Sequence, residues 1–511
     1  MIAYIREFFK YLLIKRIFYV ILFTQRFSED KMKKLEGLRP ARVFEIFEEM
    51  CAIPHGSGDM EKISEWCVEF ARARGLKCIK DDACNVVIFK NGARGYENST
   101  PVILQGHLDM VCQKTEDSDH DFEKDGLDLF IDGDMLGAKN TTLGGDNGIG
   151  SAIILALLDS TDLPHPPLEA VFTTDEEIGM LGALRLDMSL LHGKHMINLD
   201  SEELDVVTVS CAGGADIKID VPIKRVHKSG ECLKITLDGM KGGHSGVEIN
   251  KNRVNASILM GRVLNHLGAS VNYGLVSLSG GDKTNAIVRS ATAEIFLHNA
   301  ETVKKELLEY LGTVKAEIIS AEPEFTYSVS VNKNENASLI AGKAAELITF
   351  LATATQGVVT MSADIEGLVE SSQNLGIMKT DEDKVTLIFS LRSSKISAMK
   401  WLEERLYTLA NPLDAEISVS GIYPPWEYLA ESKTRDIWCK CAEEISGAPV
   451  KVEAIHAGLE CGVFASGIDG LDCISVGPEL RGIHTVEERL KISSVEVLWK
   501  ILTRTLEQMK D

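Results

Sequence analysis

Basic residues are in short supply: 54 lysines and arginines face 76 aspartates and glutamates, a net charge of −22 over 511 residues. Nucleic-acid phosphate backbones are held by basic patches, so this balance argues against such partners. It says little about fold, because surplus surface carboxylates mostly serve solubility. Long apolar runs are missing as well. The longest clean run near the N-terminus, Ile17 to Phe23, sits among Arg6, Lys10, Lys15 and Arg16. A membrane-spanning helix needs about 20 apolar residues, and no small-residue cleavage site follows to make a signal peptide. A basic amphipathic helix on a membrane surface fits the composition. An over-long start with Met32 as the initiator fits better, so residues 1–31 are read as an N-terminal extension. No stable membrane association is expected. The eleven cysteines, an odd number scattered between Cys51 and Cys473, include no C-x-x-C pair. Cys439 and Cys441, two apart in a helical stretch, fall on different faces. That argues against a disulfide framework and a thiolate zinc site, and a reduced, cytoplasmic chain is expected.

What is present is ordinary globular material, 45% apolar and 25% charged, in a chain long enough for two to four domains. Val43, Phe44, Ile46 and Phe47 recur at helical spacing, as do Ile63, Trp66, Cys67 and Phe70 before Gly75. Short buried runs follow at 86–89, 102–104, 170–172 and 196–199, with an apolar helix from Ile149 to Leu158 among them. Strands alternating with helices imply an α/β architecture, a mostly parallel sheet flanked by helices. After about Cys211 the order becomes β-α-β-β-α-β, the ferredoxin-like signature, and a similar series follows from Leu339 to Val419. The expected organisation is therefore a discontinuous catalytic domain, 32–207 and 427–511. Between its halves lies an α+β lid of two ferredoxin-like units in succession, 208–426.

Chemistry-bearing residues gather where the buried strands end. One strand runs into His107-Leu-Asp109, another into Asp175-Glu176-Glu177, a third into Asp200, and the strand before Gly477 leads by a short loop to His484. Ligand sites in open α/β sheets lie outside the carboxyl ends of the strands. Asp146, in Gly144-Gly-Asp146-Asn-Gly, sits in a tight turn before the apolar helix. Singly each residue has a plain structural reading: a helix cap, a solvated pair, a packed histidine. Together, two histidines with carboxylates make a nitrogen and oxygen donor set suited to zinc, manganese or cobalt. Alternate residues of a strand point the same way, so Asp109 can orient the His107 imidazole from behind. Glu176 and Glu177 diverge, so one can bind metal while the other acts as general base. The donors are too many for one four-coordinate ion with an open position, and a carboxylate can bridge two metals.

These segments resemble the zinc aminoacylase/carboxypeptidase/dipeptidase family. Ile53-Pro-His55, Gly242-Gly-His244-Ser-Gly246, Asn285-Ala-Ile and His456-Ala-Gly-Leu-Glu-Cys-Gly462 are similar to its aminoacyl-histidine dipeptidase branch, over essentially everything after Met32. The resemblance implies hydrolysis of dipeptides, Xaa-His included, by a two-metal-activated water. Two zinc ions per subunit are implied, with cobalt or manganese able to substitute. Asp146 would bridge them, with His107 and Asp200 on one and Glu177 and His484 on the other. Glu176 would be the general base, Asp109 the orienting carboxylate, and His244 a stabiliser of the tetrahedral intermediate, often reached from a partner subunit in relatives. A homodimer through the lid is a further implication. Arg392 fits the clamp for the substrate carboxylate, Asn285 lines the substrate site, and Glu460 is left without a role. One departure stands out: Val288 occupies a position where relatives commonly carry proline, which weakens the case for Asn285. The competing readings are a carboxypeptidase or N-deacylase on the same scaffold and a catalytically silent peptide- or metal-binding protein. Relatives of the first kind usually carry one lid unit, and the presence of Glu176 opposes the second. A phosphate-loop reading of 144–150 lacks the Lys-Ser/Thr that it needs, and Asp146 would repel phosphate.

Overall fold

The computed structural model describes residues 34–510. The reading of 1–31 as an extension, with Met32 as initiator, lies outside the described residues. Among those described, no helix is long and apolar enough to cross a membrane.

Two large sheets organise the chain. The first has eight strands, in the spatial order Lys77–Lys80, Val86–Lys90, Leu168–Thr173, Val102–His107, His195–Asn198, Asp472–Ser475, Val206–Cys211, Lys451–Ile455. Its four central strands, Leu168–Thr173 to Asp472–Ser475, run parallel. Antiparallel pairing appears only toward the margins, where Val86–Lys90 joins Leu168–Thr173 and Val206–Cys211 joins Asp472–Ser475. The sheet is thus mixed, with its parallel part in the middle. Parallel strands need helices over both faces, and their residues are buried on both sides. Val102–His107 and Leu168–Thr173 are indeed buried at every position. The helix Gly145–Asp159 packs against this centre and is buried along almost its whole length. The helix Ala41–Cys51 lays Val43, Phe44, Ile46, Phe47 and Met50 against it at the expected spacing.

The second sheet has nine strands and lies wholly between residues 213 and 423. One unit runs Lys224–Asp238, helix Ala256–Gly268, Gly274–Gly280, Ala291–Leu297, helix Ala300–Ile318, Thr326–Ala341, with the first strand between the fourth and the third. That is the ferredoxin-like order. The other unit has the same order, but its first strand is Gly213–Pro222, before the first unit begins. It continues with helix Ala344–Thr353, Val369–Thr380, Lys384–Ser393, helix Ile396–Ala410 and Glu416–Tyr423. One unit is therefore nested inside the other, where succession was expected. They join edge to edge through Gly274–Gly280 and Val369–Thr380. The helix expected from Leu339 starts only at Ala344, because Leu339 and Ile340 end a long strand paired with Arg225 and Val226. Ala286–Ile287 leaves the large sheet and pairs instead with Gly243–His244.

Candidate metal centre

Because the central strands are parallel, their carboxyl ends share one edge, and the chain leaves each end carrying a polar side chain. His107 closes its strand and is almost fully buried. Its Nδ1 bonds to the main-chain oxygen of Asp109 at 3.0 Å, with the Asp109 carboxylate 3.4 Å away. The expected orienting contact is thus shared between the carbonyl and the carboxylate. A proton held at Nδ1 leaves Nε2 as the ligand nitrogen, and Nε2 faces Asp146 Oδ1 at 3.2 Å and Asp200 Oδ1 at 3.3 Å. His484 Nε2 faces Asp146 Oδ2 at 3.3 Å and both oxygens of Glu177 at 3.0 Å. Asp146 therefore stands between two imidazoles, one carboxylate oxygen toward each.

Local backbone explains how these groups meet. Asp175 adopts a left-handed conformation, φ 54°, and its Oδ1 accepts from the Gly58 N–H at 2.7 Å. That turn brings the N–H groups of Glu176 and Glu177 onto the buried Asp109 carboxylate, at 3.0 and 3.2 Å, beside the Ser57 hydroxyl at 2.8 Å. Asp109 accordingly holds the backbone of both glutamates as well as facing His107. Asp146 lies in a non-helical turn, φ −83°, ψ 106°, at the head of Gly145–Asp159. The next residue, Asn147, donates from Nδ2 to the Leu199 carbonyl, beside Asp200. His484 is half-exposed and also left-handed, φ 61°. Such backbone in non-glycine residues costs on the order of 1–3 kcal/mol and collects at functional sites.

The electrostatics are those of a cation site. Burial alone would lower the His107 pKa, but the charge of Asp200 and hydrogen bonds to Asp109 and Asp146 hold it well above the ordinary value. Hydrogen bonds to Asp146 and Glu177 push His484 up to about 10. Burial would raise Asp146, yet bonds from the two histidines hold it well below the usual carboxylate range. Burial pushes Asp200 up to about 6, and among the described residues its Oδ1, 3.3 Å from His107 Nε2, has no hydrogen-bond partner. Glu176 is raised well above the ordinary value by burial, with Asp200, Glu460 and Glu177 adding to it against His107. Ligand atoms of His107, Asp146 and Glu177 all lie within 4.8 Å of one another. Two imidazole nitrogens, converging carboxylates and an orphaned buried oxygen fit a bound metal.

Beneath this cluster lies a polar network that pattern reading missed. Glu460 is fully buried, and burial pushes its pKa up to about 8. Its Oε2 accepts from Thr173 Oγ1 at 2.6 Å and Gln105 Nε2 at 2.5 Å, and Gln105 Oε1 accepts from Asn198 Nδ2 at 2.5 Å. Gln105 and Asn198 stand two positions before His107 and Asp200, so the network ties together the strands that lead to these two residues.

His244, Asn285 and Arg392 form a second group. His244 pairs across from Ala286, and the Ser245 N–H donates to the Asn285 carbonyl at 2.8 Å. The Val288 carbonyl accepts from the Ala256 N–H at 3.0 Å, which ties this stretch to the start of the helix Ala256–Gly268. His244 Nδ1 accepts from the N–H groups of Gly246 and Val247, at 3.2 and 3.3 Å, which leaves the proton on Nε2. Arg392 is buried; Nη1 donates to the Tyr423 hydroxyl at 2.9 Å, and Nε has no partner among the described residues. His456 Nε2 bonds to Ser372 Oγ at 2.7 Å, and burial with the Arg392 charge pushes its pKa down to about 3. The stretch 456–460 thus runs from this second group, at His456, to the floor of the metal centre, at Glu460. Ser57, Tyr423, Gln105 and Glu488 were not foreseen as site residues.

Known proteins share this arrangement of chain. Residues 103–508 match the model of Peptidase family M20/M25/M40. A cytosol non-specific dipeptidase from Escherichia coli is 35% identical over 482 residues, 94% of this chain and 99% of that protein. An aminoacylhistidine dipeptidase from Vibrio alginolyticus superposes with a TM-score of 0.85 at 36% identity, covering 94% of this chain and 98% of its own. An aminopeptidase PepT from Bacillus cereus, 14% identical with a TM-score of 0.54 over 92% of this chain and 99% of its own, shares the fold alone.

Proposed function

From the premise that this chain belongs to Peptidase family M20/M25/M40, we propose that it is a cytoplasmic, metal-dependent dipeptidase that cleaves dipeptides, Xaa-His among them. The observation that carries the reading is the convergence of His107, Asp146, Glu177, Asp200 and His484 at one sheet edge. The coverage of both dipeptidase relatives, nearly end to end, supports the substrate class, and the E. coli relative is named for the cytosol. Two zinc ions, replaceable by cobalt or manganese, are the proposed occupants: His107, Asp200 and Asp146 would hold one, and Glu177, His484 and Asp146 the other. When bound, they supply Lewis acidity and a water activated near neutral pH.

The remaining work belongs to the chain's own residues. Glu176 takes the proton of the attacking water and holds it on a carboxyl whose affinity for protons is raised by burial, ready for the departing amine. Asp109 keeps Glu176, Glu177 and His107 in register. His244 offers its Nε2 proton to the oxyanion that develops on the scissile carbonyl. Arg392, a buried guanidinium bonded to a neutral hydroxyl, offers its free edge to the substrate carboxylate. Asn285 lies beside His244 and is assigned to the same substrate wall. We read 32–207 with 427–511 as the catalytic domain and 208–426 as the lid; the separate membership of the two sheets supports this division, except that Val206–Cys211 belongs to the first sheet and moves the first boundary to about residue 212. The lid sheet ends in unpaired edge strands, Thr326–Ala341 and Glu416–Tyr423, and such edges favour pairing of two copies into a homodimer. The test is a panel of dipeptides, including Xaa-His, assayed with metal-stripped and metal-restored protein. Hydrolysis only after restoration is expected; no turnover of any dipeptide would overturn the reading.

A further inference from the structure

Glu488 follows His484 by four residues, directly after Glu487. The structure buries it, with 2% of its surface exposed. Its carboxylate accepts four main-chain N–H bonds from the loop that carries Asp146. Oε2 takes Leu143 at 2.8 Å and Gly144 at 3.1 Å; Oε1 takes Gly145 at 2.8 Å and Asp146 itself at 3.3 Å. Four successive donors turned to one side of a buried loop would each be left unpaired without that acceptor. The loop is shaped for it. Gly144 is left-handed, φ 65°, and a Cβ on Gly145 would lie 2.7 Å from Leu480 and 3.2 Å from Glu488 Oε1. The N–H groups of Gly145 and Asp146 also open the helix Gly145–Asp159, which has no side-chain cap at Gly144 and whose first N–H groups lack a carbonyl acceptor within the helix.

We propose that Glu488 is a positioning residue of the metal centre, fixing the Asp146 carboxylate and coupling it to His484 so that the two ligands move together. The inference rests on the reading that Asp146 and His484 hold metal. His484 lies in an exposed loop, and the residues after it anchor that loop. Glu488 donates its N–H to the Thr485 carbonyl at 3.1 Å, and Arg489–Lys491 then pairs with Leu480–Arg481 and with Met135–Leu136. Asp146 sits about equally far from both imidazoles, at 3.2 and 3.3 Å, so movement of its loop disturbs both ligand pairs together. An amide cannot replace the carboxylate. Glutamine offers one acceptor oxygen, and whichever way it is flipped its NH2 meets two N–H donors.

Glu169 supplies the control. It too is buried and accepts main-chain N–H bonds, from His192 and Gly193 at 2.9 Å. It sits at the amino end of Leu168–Thr173, the sheet edge opposite the ligands. Wild type, Glu488→Gln and Glu169→Gln are loaded with Co2+ and compared by metal titration, absorption spectrum, steady-state kinetics and melting temperature. Glu488→Gln should bind the metal about 10–100-fold more weakly, show a changed Co2+ spectrum, and lose kcat at saturating metal while KM stays near wild type. Glu169→Gln should lose melting temperature alone. Wild-type affinity and spectrum in Glu488→Gln, or the same loss in Glu169→Gln, would overturn the inference. Failure of the wild type to bind metal would overturn the proposed function with it. If Glu488→Gln does not fold, Glu488→Asp carries the test, since it keeps both oxygens one methylene short. It should fold and bind with a shifted spectrum, and an unshifted spectrum would count against the proposal.

Discussion

Arg392→Ala is the sharpest test of how the enzyme reads its substrate. The side chain is 8% exposed, bonds to the Tyr423 hydroxyl, and among the described residues pairs with no carboxylate. A buried charge without a counter-ion is expensive, and His244 and His456 nearby are held neutral by burial and by the Arg392 charge itself. The site therefore lacks an anion that a dipeptide brings. Hydrogen bonds to charged groups contribute about 1.5–3 kcal/mol. Loss of the carboxylate contact should then cost about 2–3 kcal/mol, or about 10²-fold in kcat/KM. Truncation also opens a cavity and strips the Tyr423 hydroxyl of its donor, so the single mutant mixes recognition with packing. A double cycle removes the packing part. Wild type and Arg392→Ala are assayed on a dipeptide and on its C-terminal amide, with melting temperature recorded alongside. The amide should be a poor substrate for wild type and nearly insensitive to the mutation. Equal losses on acid and amide would refute the clamp and leave Arg392 as a support of the fold.

Chelation should abolish hydrolysis, and zinc, cobalt or manganese should restore it; full activity in metal-free protein would remove the basis of the mechanism. Glu176→Gln should keep metal and lose about 10²–10⁴-fold in kcat, since general acid–base catalysis is worth that much, whereas Glu177→Gln should lower metal content by elemental analysis. The opposite pattern would reverse the two roles. In metal-free protein the His484 pKa stands at about 10, above its ordinary 6.5. A raised folded pKa stabilises below the unfolded value and is lost as pH climbs through the folded one. The metal-free form should therefore lose this stabilisation between about pH 6.5 and 10, and metal binding, which needs the neutral ring, should release protons. The melting-temperature gap between loaded and metal-free protein should widen as pH rises from about 6.5 to 9, and a constant gap would contradict the assignment of His484 as a ligand.

The grouping of the candidate site's residues at one sheet edge was legible in the sequence because its logic is local to strand ends. His107, Glu176, Glu177 and Asp200 each follow a short buried run, and parallel strands must deliver their carboxyl ends to one edge. The lid was harder. Its second unit takes Gly213–Pro222 as first strand, yet the rest of that unit begins at Ala344. Periodicity recognises a strand but carries no record of which distant strand it pairs with, so a nested pair of units and a successive pair look alike until the ladders are seen. The mixed margins of the first sheet were hidden for the same reason.

The acids show where such reading stops. Asp146, Glu460 and Glu488 are all carboxylates in loops or at helix starts, and composition cannot rank them. What separates them is the set of donors that the fold brings. Asp146 meets two imidazole nitrogens and so becomes a place for a cation. Glu460 meets a hydroxyl and an amide, which satisfy one oxygen and leave the other unpaired. Glu488 meets four main-chain N–H groups contributed from more than 340 residues away. A carboxylate saturated by backbone donors cannot also serve a metal well, because those donors already occupy the lone pairs that coordination requires. The Glu488 carboxylate is consumed in holding the loop, which leaves the Asp146 carboxylate facing the two imidazoles, as its proposed role as a ligand requires.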